Sequence, residues 1–307
     1  METSTPATSA SAVAQPLRIL VINPNTSEAM TASLSPVLNS LAYPPGFIQY
    51  TFFTSPSSTA SSEDNTATQG IPSINSPGDA AVSAQVCLPH LLPLIPHHDA
   101  FLVACYSQHP LVSLLKSACG EFTRGAGARG AGVGVRKKYV TGIFEASVLA
   151  SLALLDNGDG SVNLGEKGIA NETFGIVSTG AIWESALTVA VEGFLGAKSS
   201  QRFAGVETTG LNASELHDLP AEEVRAKMVD ATRRLLRRGG GVGGESRGAG
   251  GGVKAICLGC AGMAGLDDAV REACVLELGE ERGREVSIVD GVKAGVGVLI
   301  GLAAAGF

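Results

Sequence analysis

Two cysteines stand where their chemistry could be used. Cys105 closes the apolar run FLVAC and Cys260 closes AICLGC, so each thiol is expected just past the carboxyl end of a strand. Open parallel sheets present their ligand crevice at that edge. Two thiols facing each other across such a crevice could move a proton from one face of a carbon acid to the other, one acting as base and the other as acid. The intermediate enolate would need hydrogen-bond donors, and Asn25, Ser178, Thr179 and the main chain around Ala261 and Gly262 could supply them. Cys260 is followed by Ala261-Gly262-Met263-Ala264-Gly265, small residues that let main-chain N–H groups approach the sulfur. This predicts a thiolate-favouring site, below the free value of about 8.5. Cys105 is followed by Tyr106-Ser107-Gln108-His109-Pro110, whose side chains can donate hydrogen bonds or position a helix.

The remaining cysteines read differently. Cys87, Cys119 and Cys274 fit the ordinary role of a small buried hydrophobe. Cys257-Leu258-Gly259-Cys260 is a C-x-x-C, but a zinc site needs a second ligand pair, and Cys257 falls inside the strand rather than at its end as a redox motif would require. The five histidines lack helical ligand spacing, and His97-His98 reads as a solvated loop pair. Neither a metal nor any other cofactor is expected.

Short apolar runs alternating with helix-like stretches position these residues and predict an α/β protein with parallel sheets. Strands are expected at Arg18–Asn23, Ala100–Ala104, Tyr139–Ile143, Phe174–Ser178, Ala255–Leu258 and Val286–Val289. Helices are expected at Ser27–Ala42, Ala80–Leu94, Ala146–Leu155, Ala181–Leu195, Ala221–Arg238, Asp267–Gly279 and Gly291–Ala305. The glycine-rich stretches Gly120–Lys138 and Gly239–Gly252 read as flexible insertions, because ordering glycine is entropically expensive. Thr54–Pro77 reads as a long polar surface loop, either lid or linker. A polar turn followed by a cysteine occurs twice, with Asn23 to Cys105 and Ser178 to Cys260 each separated by 82 residues, which hints at internal duplication.

With 22 basic and 29 acidic residues among 307, the net charge of −7 repels a phosphate backbone, so nucleic acid is not an expected partner. The cluster Arg233–Arg238 reads as a solvated helix face. Residues 1–16 are Ser/Thr/Ala-rich, without the basic start and apolar stretch of a secretory signal, and read as a disordered tail. The apolar run Ala294–Phe307 is too short to span a bilayer, and no membrane association is expected. Six cysteines without an export signal indicate reduced thiols and a cytoplasmic location.

Five segments, ILVINPNTS (Ile19–Ser27), ACYSQHPLV (Ala104–Val112), TGIFEAS (Thr141–Ser147), FGIVSTG (Phe174–Gly180) and LGCAGM (Leu258–Met263), occur in an order that resembles the aspartate/glutamate/hydantoin racemase superfamily. Among its members, the hydantoin and allantoin racemases and their fungal relatives are the most similar. The resemblance implies two pseudo-symmetric α/β domains of flavodoxin-like, three-layer architecture, divided as 17–136 with 287–307 and 137–286, and an active site in the cleft between them. It also implies Cys105 and Cys260 as the acid and base, a small-molecule substrate and homo-oligomers. Carried over by motif, Asn25 binds substrate and Ala261 and Gly262 offer main-chain donors. Tyr106, Ser107, Glu145, Ser178 and Thr179 fall beside the cleft, although Glu145 could equally cap its own helix and Thr179 satisfy its own turn. The superfamily's amino-acid racemases follow each cysteine with Asn-Thr. Here Tyr-Ser and Ala-Gly stand instead, which points to a neutral or weakly acidic ring such as allantoin or a 5-substituted hydantoin. The rival expectations are an isomerase or decarboxylase of a small diacid, and a metabolite binder without catalysis.

Overall fold

A computed structural model describes residues 15–58, 69–128, 136–156, 172–239 and 252–307. Residues 1–14 of the expected tail 1–16, 59–68 of the Thr54–Pro77 stretch, 129–135 of the first glycine-rich stretch and 240–251 of the second lie outside these residues.

The first sheet contains β1 (Leu17–Asn23), β2 (Ile48–Thr54), β3 (Ala100–Val103) and β4 (Tyr139–Gly142), all parallel, in the order β2-β1-β3-β4. The second contains β5 (Glu172–Ser178), β6 (Phe203–Thr208), β7 (Gly252–Gly259) and β8 (Ser287–Asp290) in the corresponding order β6-β5-β7-β8. The repeated order gives the duplication a topological form, with β1 matching β5 and β3 matching β7. Alternation along β1 explains why the sheet lies between layers. Ile19 and Val21 join a core shared by the facing sides of both sheets, whereas Leu20 and Ile22 join the outer core beneath the flanking helices. Burial on both faces is what a parallel sheet requires.

The helices are α1 (Glu28–Asn39), α2 (Pro77–Leu91), α3 (Pro110–Ala128), α4 (Ile143–Leu154), α5 (Ile182–Leu195), α6 (Glu215–Asp218), α7 (Ala221–Gly239), α8 (Asp267–Leu278), α9 (Glu280–Glu285) and α10 (Gly291–Ala305). Side chains cap several of them: Ser27 accepts from Met30 N–H, Ser76 from Asp79 N–H, and Asp290 from Val292 and Lys293 N–H. Such caps contribute about 1 kcal/mol each. Residues 120–128 of the expected insertion Gly120–Lys138 are instead the second half of α3, which Leu111, Leu115, Cys119 and Phe122 hold against the outer face of the first sheet. Strands β2 and β6 were absent from the sequence reading.

The two halves are laced together. Helix α4 follows β4 of the first sheet but packs on β7 of the second. Helix α10 follows β8 of the second sheet but packs on β3 and β4 of the first. The helices cross where Gly291 approaches the Ile143 carbonyl so closely that an added Cβ would lie 2.8 Å from it. The division expected from sequence therefore differs from the sheet membership at two strands: Tyr139–Gly142 joins the first sheet and Ser287–Asp290 the second.

Candidate functional site

The carboxyl edges of the two sheets face one another, and a cavity of about 30 Å³ lies between them, lined by both Cys105 and Cys260. That space holds roughly two waters. Cys105 sits beyond β3, whose end is anchored by the Ala104 N–H donating to the Ile22 carbonyl at 2.8 Å. Its Sγ lies 3.5 Å from Ser107 Oγ. Cys260 directly follows β7 and caps the short 3-10 turn Ala261–Met263, with the Gly262 N–H donating to Sγ at 3.4 Å. Gly259 makes this turn possible, since an added Cβ would meet the Val177 carbonyl at 2.7 Å.

The expected N–H donor is therefore present, but the expected thiolate is not favoured. Burial pushes Cys260 up to about 11, outweighing the Gly262 and Met263 N–H groups. Burial likewise pushes Cys105 up to about 12, with the Ser107 contact pulling it back and the potential charge on Cys260 adding to the rise. Each thiol thus disfavours ionisation of the other.

The remaining expected residues divide. Asn25, Tyr106, Thr179 and Ala261 line the cavity. Asn25 is held by its Oδ1, which accepts from Asn23 Nδ2 and Ser27 N–H at 2.9 Å each. The Tyr106 hydroxyl contacts Ser147 Oγ on α4 at 2.7 Å, tying the first cysteine loop to the exchanged helix. Gly262 acts through the Cys260 sulfur rather than as a wall. Ser107 touches Cys105 without lining the cavity, and Ser178 turns away, donating its hydroxyl to the Gly259 carbonyl at 2.8 Å to cross-link β5 and β7. Glu145 also lies outside the lining. It sits in the first turn of α4, where main-chain N–H groups of Gly142 and Glu145 hold it, and burial raises its pKa. It is nonetheless close enough for a negative charge on it to disfavour the Cys105 thiolate.

Ala104 and Gly259 flank the two cysteines in the wall, which is completed by four residues not expected from sequence, Met30, Ile74, Ala213 and the single tryptophan, Trp183. They come from four separate segments and carry no catalytic signature, so only the fold brings them together. Ile74 belongs to the supposed surface loop, whose described end packs inward, with the Thr26 N–H donating to the Ile71 carbonyl at 3.0 Å. His109 is buried and neutral: its Nδ1 accepts from Leu111 N–H at 3.2 Å, and burial pushes its pKa down to about 4. His98 is not a solvated loop residue either, since its ring nitrogens contact Thr51 Oγ1 and the Leu94 carbonyl. Cys87, Cys119 and Cys274 are buried as expected. Cys257 is buried too, 3.1 Å from Ser151 Oγ.

Two parallel α/β domains related by internal duplication, with a cysteine from each at a shared cavity, define a two-domain protein of the racemase fold. The sequence profile of the Asp/Glu/hydantoin racemase family matches residues 19–299, and the chain belongs to that family. An uncharacterized protein of Schizosaccharomyces pombe is 32% identical over 286 residues, covering 93% of this chain and 92% of that protein. The fold is similar to that of allantoin racemase from Klebsiella pneumoniae, with a TM-score of 0.61 and 23% identity over 95% of this chain and 89% of that one. It is also similar to allantoin racemase from Pseudomonas fluorescens, with a TM-score of 0.62 and 21% identity over 95% and 92% of the two chains.

Proposed function

We infer that this protein is a cofactor-independent racemase of a cyclic ureide, allantoin or a 5-substituted hydantoin, working by proton transfer between Cys105 and Cys260. The observation that carries this reading is that both sulfurs wall one cavity from equivalent ends of duplicated domains. The thiolate of one cysteine takes the proton from the ring carbon next to the carbonyl, leaving an enolate. The thiol of the other delivers a proton to the opposite face, and the pair ends with its protonation states exchanged. Asn25, Thr179 and the main chain at Ala261 are the polar groups at hand to hold the enolate oxygen. Mutual repulsion keeps the pair from ionising together, so that once one cysteine has lost its proton the other stays a thiol, which is the state the reaction needs.

The lining favours a ring over an amino acid or a diacid. Among the described residues, none that lines the cavity carries a formal charge, so a free carboxylate or ammonium would be desolvated there without a charged partner. A neutral ureide would not.

The test is loss of optical rotation from one enantiomer of allantoin and of 5-benzylhydantoin, followed in D2O. The reading requires deuterium at the stereocentre of the enantiomer formed, and near-complete loss of activity in Cys105→Ser and in Cys260→Ser. Unchanged rates in either variant defeat the mechanism. A different product defeats the reaction class.

A further inference from the structure

A second and larger cavity, about 560 Å³, lies at the opposite edge of the first sheet. Cys105 extends from the carboxyl end of β3, whereas this cavity is bounded by Lys137, Lys138 and Tyr139 at the amino end of β4, by α3, and by Leu302 and Phe307 near the end of the chain. Its size falls within the range typical of small-molecule sites. Nothing in the racemase reading uses it.

Its charge is the unusual feature. Lys116, Arg124, Lys137 and Lys138 line it, and among the described residues no carboxylate side chain does, in a protein whose net charge is −7. On α7, by contrast, Arg225, Arg233, Arg234, Arg237 and Arg238 each hold a carboxylate. Lys138 is also accounted for, since it donates to the His98 carbonyl at 2.7 Å and lies 3.8 Å from Asp99. Lys116, Arg124 and Lys137 have no ion pair or side-chain hydrogen bond among the described residues. Lys116 is near enough to the buried Glu145 carboxyl to draw its pKa down, and together with Arg124 and Lys137 it concentrates positive potential in this concavity. The rest of the lining is different in kind: Val140, Leu302, the Tyr139 ring and Phe307 offer an apolar floor, and Thr123 adds a hydroxyl.

We propose that this cavity binds a small organic phosphate, its phosphoryl group held by Lys116, Arg124 and Lys137 and its planar or aliphatic body lying on Tyr139, Leu302 and Phe307. A guanidinium and two ammonium groups suit a phosphoryl group, which can accept several charge-assisted hydrogen bonds at once. The bare ion would leave the apolar floor unused, and an uncharged ligand would leave the cations unmatched.

Isothermal titration of the full chain at low salt tests this, with AMP, phosphoenolpyruvate and adenosine as probes. Saturable one-to-one binding of AMP or phosphoenolpyruvate is expected, weakened about tenfold for each cation removed in Lys116→Gln and Lys137→Gln and abolished when Arg124→Gln is added. All three residues are exposed, so the thermal midpoint should be unchanged; Lys116→Gln alone serves if the triple variant proves unstable. Adenosine should bind at least tenfold more weakly than AMP. Absence of saturable binding by both phosphates at millimolar concentration overturns the proposal, as does equal affinity in the variants or for adenosine. The outcome is independent of whether Cys105 and Cys260 racemise anything.

Discussion

Asn25 directs its side-chain amide at the Met30 thioether, with Nδ2 3.2 Å from Sδ. A thioether is a weak acceptor, so this buried donor remains largely available to a stronger one inside the cavity. Its Oδ1, by contrast, is fully occupied in organising the β1–α1 turn. Asn25→Asp keeps that oxygen and removes the donor. We expect a fall in kcat of about a hundredfold with little change in Tm, the pattern of a lost transition-state donor. If kcat holds and only Tm drops, Asn25 is structural.

Cys260 is pushed up to about 11 and Cys105 to about 12, so a neutral solution holds very little thiolate. Alkylation by iodoacetamide should therefore accelerate about tenfold per pH unit from pH 7 to beyond pH 10, with Cys260 modified first. A rate that levels off below pH 9 would contradict burial as the controlling influence. The same groups fix the alkaline limb of stability. Their folded values exceed the unfolded one, so their contribution is intact below about pH 9 and is lost as pH rises toward 11 and 12.

His109 supplies the acid limb. Its folded pKa, about 4, lies below the ordinary 6.5, so its neutral form supports the fold above pH 6.5 and that support disappears as pH falls through 4. The full effect is about 3 kcal/mol. Urea unfolding of His109→Asn should show a shallower loss of stability between pH 6.5 and 4.5 than the parent. Parallel curves would mean that another group is responsible.

Gly291 admits no side chain, because its would-be Cβ points at the Ile143 carbonyl. Gly291→Ala must push α10 away from α4 and should cost about 1–3 kcal/mol, read as a lower urea midpoint. Gly297→Ala, where nothing lies within 4 Å, is the control and should be neutral or slightly stabilising.

What the sequence made readable was local. The buried strands β1, β3, β5 and β7 announce themselves as unbroken apolar runs, and a cysteine at the end of two of them marks the edges that face each other. The edge strands β2 and β6 were hidden because IQYTFFT and FAGVET are only partly buried and mix polar with apolar positions. Helix α3 was hidden by its glycines, although Leu111, Leu115 and Cys119 carry its periodicity. Ser178 illustrates a different limit: its place at the end of β5 follows from the sequence, but a hydroxyl's direction depends on which carbonyl is nearer. Cys260 illustrates a third, since the N–H donor follows from local sequence whereas the degree of desolvation follows from the opposite domain.

The exchange of α4 and α10 has one more consequence. Each half lends the other the layer that covers its sheet, so neither could be expressed alone without leaving a bare greasy face.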